Sequence, residues 1–183
     1  VLLSLAATAL HALRTSSGGP PELIVGHGSL ARLAARLVIA LGAPAPTVWE
    51  INPARISGAD GYTVVHPDHD ARRDYARVLD LSGANGIIDT LVPRLARGGE
   101  IVLGGFYHEP VTFAFPLAFM RAMSLKIAAE FTPDDLADVT AMVTAGTLSL
   151  DHLITHRMPA ADAAHAYATA FNDPTCVKMI LNW

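Results

Sequence analysis

Leu23-Ile24-Val25-Gly26-His27-Gly28-Ser29-Leu30-Ala31 passes from an apolar, β-branched run through two closely spaced glycines into small and apolar residues. That order predicts a strand, a tight turn and a helix. Gly26 permits the turn, Gly28 lets a ligand approach the backbone, and Ala31 takes the third position, where helix and strand pack closely. A helix starting at Ser29 and Leu30 offers amide donors with no intrahelical partner and the positive end of a dipole, which suits phosphate. His27 is expected to point its ring outward and contribute its backbone alone. By itself a Gly-x-Gly-x-x-Ala run is equally compatible with a plain strand-to-helix turn, so the surrounding chain has to decide.

Downstream, Leu30, Leu33, Leu37 and Leu41 recur at helical spacing while Arg32 and Arg36 fall on the other side, predicting an amphipathic crossover. Short, mostly apolar runs at Leu23–Val25, Thr47–Trp49, Thr63–Val65, Arg77–Leu81, Glu100–Leu103 and Leu125–Ala128 read as strands buried on both faces. Strands alternating with helical stretches imply an α/β fold, a doubly wound parallel six-stranded Rossmann sheet. The second strand ends at Glu50, where an acid accepts hydrogen bonds from both adenosine ribose hydroxyls and repels a 2′-phosphate, favouring NAD. Arg55 lies just beyond and is placed for the ribose, although it would argue for NADP if Glu50 pointed away. Ser82-Gly83 and Gly104-Gly105-Phe106 sit at the carboxyl ends of the fourth and fifth strands, the edge where such sheets bind ligands. The stretch from Ile51 to Tyr62 leaves little room for a full crossover helix.

Composition narrows the field. With 183 residues, 51% of them hydrophobic, the chain can bury a sizeable core. A net charge of −4, with scattered Lys and Arg, provides no basic field for nucleic acid. One cysteine, Cys176, excludes an internal disulfide framework and fits a cytoplasmic protein. No apolar run reaches the length of a membrane helix without Pro or charge. The opening Val1–Leu10 lacks an initiator Met and a basic leader, and reads as part of an amphipathic helix with a domain expected before it. Thr132-Pro133-Asp134-Asp135 has the cap, first-turn proline and early acids of a helix start, with Gly146 placed to end that helix.

Beyond these local signals, the whole chain resembles the medium-chain alcohol dehydrogenases. Thr8-Ala9-Leu10-His11-Ala12-Leu13 is similar to the family's helix leading into the cofactor domain, and Gly98-Gly99-Glu100-Ile101-Val102-Leu103-Gly104-Gly105 to its fifth strand. Leu153–Pro159, Ala160–Phe171 and Lys178–Leu181 resemble its closing strand, helix and strand. The resemblance implies a linking helix at 1–15, an NAD-binding Rossmann domain at 16–147, and a segment at 148–183 returning to a GroES-like catalytic domain. It further implies that Thr8 faces the nicotinamide, that Lys178 reaches the pyrophosphate, and that catalytic residues and any zinc ligands precede Val1. No metal site is assigned within the chain. His152 and His156 have metal-compatible spacing without a third ligand, and His66 and His69 flank a Pro-Asp loop.

Within the family, Thr47–Arg55, Gly105-Phe106-Tyr107, Phe113–Pro116 and Lys178–Trp183 resemble members that oxidise the 3-(1-hydroxyethyl) side chain of a chlorophyllide-type tetrapyrrole to 3-acetyl. Other readings are a relative acting on a polyol, sugar or quinone, and a non-catalytic NAD-sensing module. The aromatic run Phe106–Pro116 reads either as a wall for a flat tetrapyrrole or as an edge strand. Val111–Phe115 is expected to be such a strand, pairing across a homodimer, with Phe106 and Tyr107 near the nicotinamide.

Overall fold

In a computed structural model describing residues 1–183, the glycine run joins β1 (Leu23–Val25) to α2 (Ser29–Ala40), preceded by α1 (Leu2–Thr15). The chain continues through β2 (Thr47–Trp49), β3 (Thr63–Val65), β4 (Tyr75–Asp80), α3 (Ile87–Leu91), β5 (Leu95–Leu103), α4 (Phe115–Arg121), β6 (Ser124–Ile127) and α5 (Pro133–Thr144). Strands β1 to β6 form one parallel sheet in the order β3-β2-β1-β4-β5-β6, the doubly wound order expected. Strand limits differ from expectation only at the ends: β4 runs from Tyr75 to Asp80, β5 reaches back to Leu95, and β6 is shifted by one residue, with an irregularity between Tyr75 and Arg77 in the β4–β5 pairing.

Successive strand residues point to opposite faces, so the sheet divides the core in two. Ile24, Val48, Leu79 and Val102 pack against α1, α2 and Val139 of α5. Leu23, Val25, Trp49, Val78, Ile101 and Leu103 pack on the other face with Ile88 and Leu91 of α3 and Ala118 of α4. Helix α5 begins as the sequence predicts, with Thr132 in a reciprocal capping box with Asp135, and Gly146 adopts a positive φ of 73° just beyond it. Asp135 also ties α5 to α1, accepting hydrogen bonds from Arg14 at 2.7 Å and His11 at 2.9 Å. The tail is a parallel pair, β7 (His156–Pro159) and β8 (Met179–Asn182), joined by α6 (Ala163–Asn172).

Two expectations are corrected. Arg32 and Arg36 do not lie on a solvated face of α2; both are buried, and their guanidinium groups cap main-chain carbonyls. Long side chains from the polar side of the helix are there covered by the β2–β3 connection and by residues 149–151. Residues 111–114, expected in an edge strand pairing across a homodimer, pair with no strand of this chain; the Ala114 N–H donates to Asp89 Oδ1, and Phe115 begins α4. The ring of His27 points inward and is fully buried.

Candidate functional site

Where the carboxyl ends of β1, β2 and β4 meet, a cleft of about 650 Å³ opens, lined by Gly26, Gly28, Glu50, Arg55 and Ser82 among others. Its position follows from topology, because the strand order reverses between β1 and β4 and the connections leave in opposite directions. Gly26 has a φ of +93°, and a side chain there would press on the Ser82 backbone, so glycine lets the first turn sit against the fourth strand's end. Gly28 caps α2 without a side-chain hydrogen bond, and nothing lies within 4 Å of where its Cβ would be. The first amides of α2, from Ser29 and Leu30, therefore have no intrahelical partners.

Glu50 is 7% exposed at the end of β2. Its Oε2 accepts the His27 N–H at 3.0 Å and its Oε1 accepts the Asn52 N–H at 2.8 Å. Both contacts are backbone donors, so the carboxylate is held rigidly, with remaining lone pairs on each oxygen for a donor in the cleft. Glu50 thus points towards the glycine loop. The Arg55 Nε instead donates to the Pro174 carbonyl at 2.8 Å, tying the cleft's rim to the tail.

The remaining expected residues fall into two groups. Gly83 and Gly105 lie back to back: a Cβ on Gly83, where φ is +65°, would strike the Phe106 carbonyl, and one on Gly105 would strike the Gly83 amide. They allow the ends of β4 and β5 to touch, while the Phe106 side chain is 88% exposed beyond them. Thr8 and Lys178 do not line the cleft; the Thr8 hydroxyl donates to Ser4 O inside α1, and the Lys178 carbonyl accepts from the His156 N–H in the small sheet.

Sequence reasoning passed over Asp80, a fully buried carboxylate closing β4. It accepts from the amide and hydroxyl of Ser82, at 3.1 and 2.6 Å, and from the Tyr107 hydroxyl. Burial pushes its pKa up against those donors, and burial together with the Asp80 charge pushes Tyr107 up as well. The available signal was a lone acid ending an apolar strand at the ligand-binding edge. His66, Asp68, Asn85 and Thr90, which also line the cleft, were likewise not singled out for the site. No three His, Cys, Asp or Glu side chains gather in a metal-holding group. His156 faces Asp173 at 3.7 Å, and His66 accepts the Asp68 amide.

No family model matches the chain. Across its whole length it is 60% identical to 2-desacetyl-2-hydroxyethyl bacteriochlorophyllide A dehydrogenase of Rhodobacter capsulatus and 56% identical to the protein of that name from Cereibacter sphaeroides. It spans 58% and 57% of those relatives' lengths. Among solved structures, 2R,3R-butanediol dehydrogenase from Bacillus subtilis superposes with a TM-score of 0.85 at 18% identity, covering 100% of this chain and 56% of that one. Acetophenone reductase from Geotrichum candidum, solved with NAD, superposes with a TM-score of 0.82 at 18% identity over 97% of this chain and 53% of its own. These likenesses show the fold.

Proposed function

We propose that this chain, which belongs to the medium-chain alcohol dehydrogenase superfamily, is the NAD-binding part of an enzyme oxidising the 3-(1-hydroxyethyl) group of a chlorophyllide or bacteriochlorophyllide to 3-acetyl. The substrate is carried by one observation, the 60% identity over the full chain to a bacteriochlorophyllide dehydrogenase. The nucleotide is supported by fit: an uncapped helix start for phosphates, and a Glu50 carboxylate fixed at the cleft for the ribose diol. NAD, when bound, supplies the hydride acceptor; the carbinol carbon gives up a hydride and its hydroxyl gives up a proton to a base. In this reading, amides at Gly28, Ser29 and Leu30 hold the pyrophosphate, Glu50 and Arg55 hold the adenosine ribose, and Ser82, Gly83, Gly105 and Phe106 shape the path to the nicotinamide. Thr8 and Lys178 belong to the same reading through the resemblance alone, as do domain limits at residues 15 and 147.

The proposal extends to a cytoplasmic homodimer joined near Val111–Phe115, where Val111, Phe113 and Phe115 are exposed. No helix is long and apolar enough to cross a membrane. Calorimetric titration with NAD and NADP tests the cofactor. The chain is expected to bind NAD in preference to NADP, and Glu50→Ala to weaken NAD by at least about tenfold, the loss of a charge-assisted hydrogen bond. Equal binding of NAD by parent and variant would remove Glu50 from the site.

A further inference from the structure

The β2–β3 connection is held unusually. From Ile51 to Gly61 it carries a single 3-10 turn at Pro53–Arg55 and buries no residue, so packing does not fix its shape. Two side chains from the glycine loop and α2 hold it. Arg32 donates to the carbonyls of Arg55, Ser57 and Gly58 and, through Nε, to that of His27. The His27 ring bridges the Arg55 carbonyl, 2.6 Å from Nδ1, and the Tyr62 hydroxyl, 2.8 Å from Nε2. A carbonyl only accepts, so Nδ1 carries the hydrogen and the neutral ring accepts at Nε2 from Tyr62. One imidazole thus grips both the middle and the end of a loop whose start, Glu50, binds the His27 amide.

We propose that His27 is a positioning residue for the nucleotide, its buried ring latching the β2–β3 connection onto the glycine loop so that Glu50 and Arg55 are held at the adenosine ribose. This rests on the cofactor reading above and deepens it, because the ring itself stays out of the cleft and acts through Arg55 and Tyr62. The charged and titratable groups around the ring are Arg32 and Arg36 from α2, Glu50 from the end of β2, Arg55 and Asp60 from the connection, and Tyr62. Protonation would set Nε2–H against the Tyr62 hydroxyl, leave that hydroxyl's own hydrogen without a partner, and bury a cation beside Arg32 and Arg36. Burial first, then those arginines, accordingly hold the His27 pKa below its ordinary value. The latch is closed when the ring is neutral and loosens on acidification.

The test is calorimetric titration of the full chain with NAD from about pH 8 down to about pH 5, for the parent, His27→Asn and Tyr62→Phe, with thermal melts alongside. The parent is expected to lose affinity by up to about tenfold per pH unit once His27 protonates. His27→Asn keeps a donor for the Arg55 carbonyl but cannot take up a proton; it should bind NAD less tightly at pH 8 and stay flat where the parent falls. Tyr62→Phe removes one oxygen and should weaken NAD by about fivefold, one neutral hydrogen bond, even if His27→Asn fails to fold. Parallel pH profiles in parent and His27→Asn, whether falling or flat, would overturn the latch. So would Tyr62→Phe binding as tightly as the parent with an unchanged pH profile. A folded parent that binds no nicotinamide nucleotide at pH 8 overturns the cofactor reading itself, and the latch with it.

Discussion

Helices α2 and α4 both follow strands of one sheet, both are rich in apolar residues, and they meet opposite environments. Eight of the twelve residues of α2 are buried, including both arginines. In α4 only Ala118 is buried, while Phe115, Phe119 and Met120 are 67%, 68% and 65% exposed. The difference lies in what flanks each helix. α2 packs on the central strand β1 and is covered by α1, whereas α4 touches β5 and the turn before it, towards the edge of the sheet. Apolar composition shows that a helix can be buried; its place in the sheet decides whether it is. For function the contrast is useful, because the helix whose start offers free amides is the deeply packed one.

The strongest way to break the comparison is a cavity. Leu37→Ala, at a fully buried site in α2, is expected to destabilise the chain by about 2–5 kcal/mol in urea unfolding. A loss comparable to a surface substitution would mean that α2 is less firmly packed than its burial implies.

A smaller effect concerns the element that covers α2. Asp135 pins α1 to α5, and its carboxyl is held well below the usual range by donors from Thr132, Arg14 and His11, against a desolvation cost that works the other way. A depressed folded-state pKa means stability present above the unfolded value of about 3.9 and lost as pH falls towards the folded one. Asp135→Asn should therefore unfold at lower temperature than the parent at neutral pH, with the gap closing below about pH 4. A gap that stays constant with pH would show that the ion pair does not carry the contact.

The smallest expected effect completes the contrast. Phe119→Ala in α4 should change the stability of the monomer by no more than about 0.5 kcal/mol. A larger loss that grows with protein concentration would show that a second copy covers α4, and would support the proposed dimer.

Much of the site was legible because its elements are local. Gly26, Gly28 and Ala31 carry their meaning through backbone conformation and spacing within one turn, and Glu50 was found by its distance from them along the chain. Side-chain direction was less legible. His27 was expected to face outward as the variable residue of the loop, yet its ring lies inside because Arg55 and Tyr62, 28 and 35 residues away, supply a carbonyl and a hydroxyl. Arg32 and Arg36 looked like the solvated face of α2, and no helical periodicity reveals that an irregular loop will fold over them. Asp80 carried a signal, an acid ending an apolar strand, but its partner Tyr107 comes from the next strand's turn.

The order of strands and helices, the parallel sheet, the glycine turn and the acid at the end of β2 were determined by the sequence alone, since each depends on spacing within one element or the next. Tertiary structure decided what lies across from each polar side chain: which carbonyls Arg32 caps, which way His27 turns, and that Asp80 meets Tyr107. Those outcomes depend on hydrogen-bond partners brought together from distant parts of the chain, and a buried donor or acceptor takes whatever partner the packed fold places within reach.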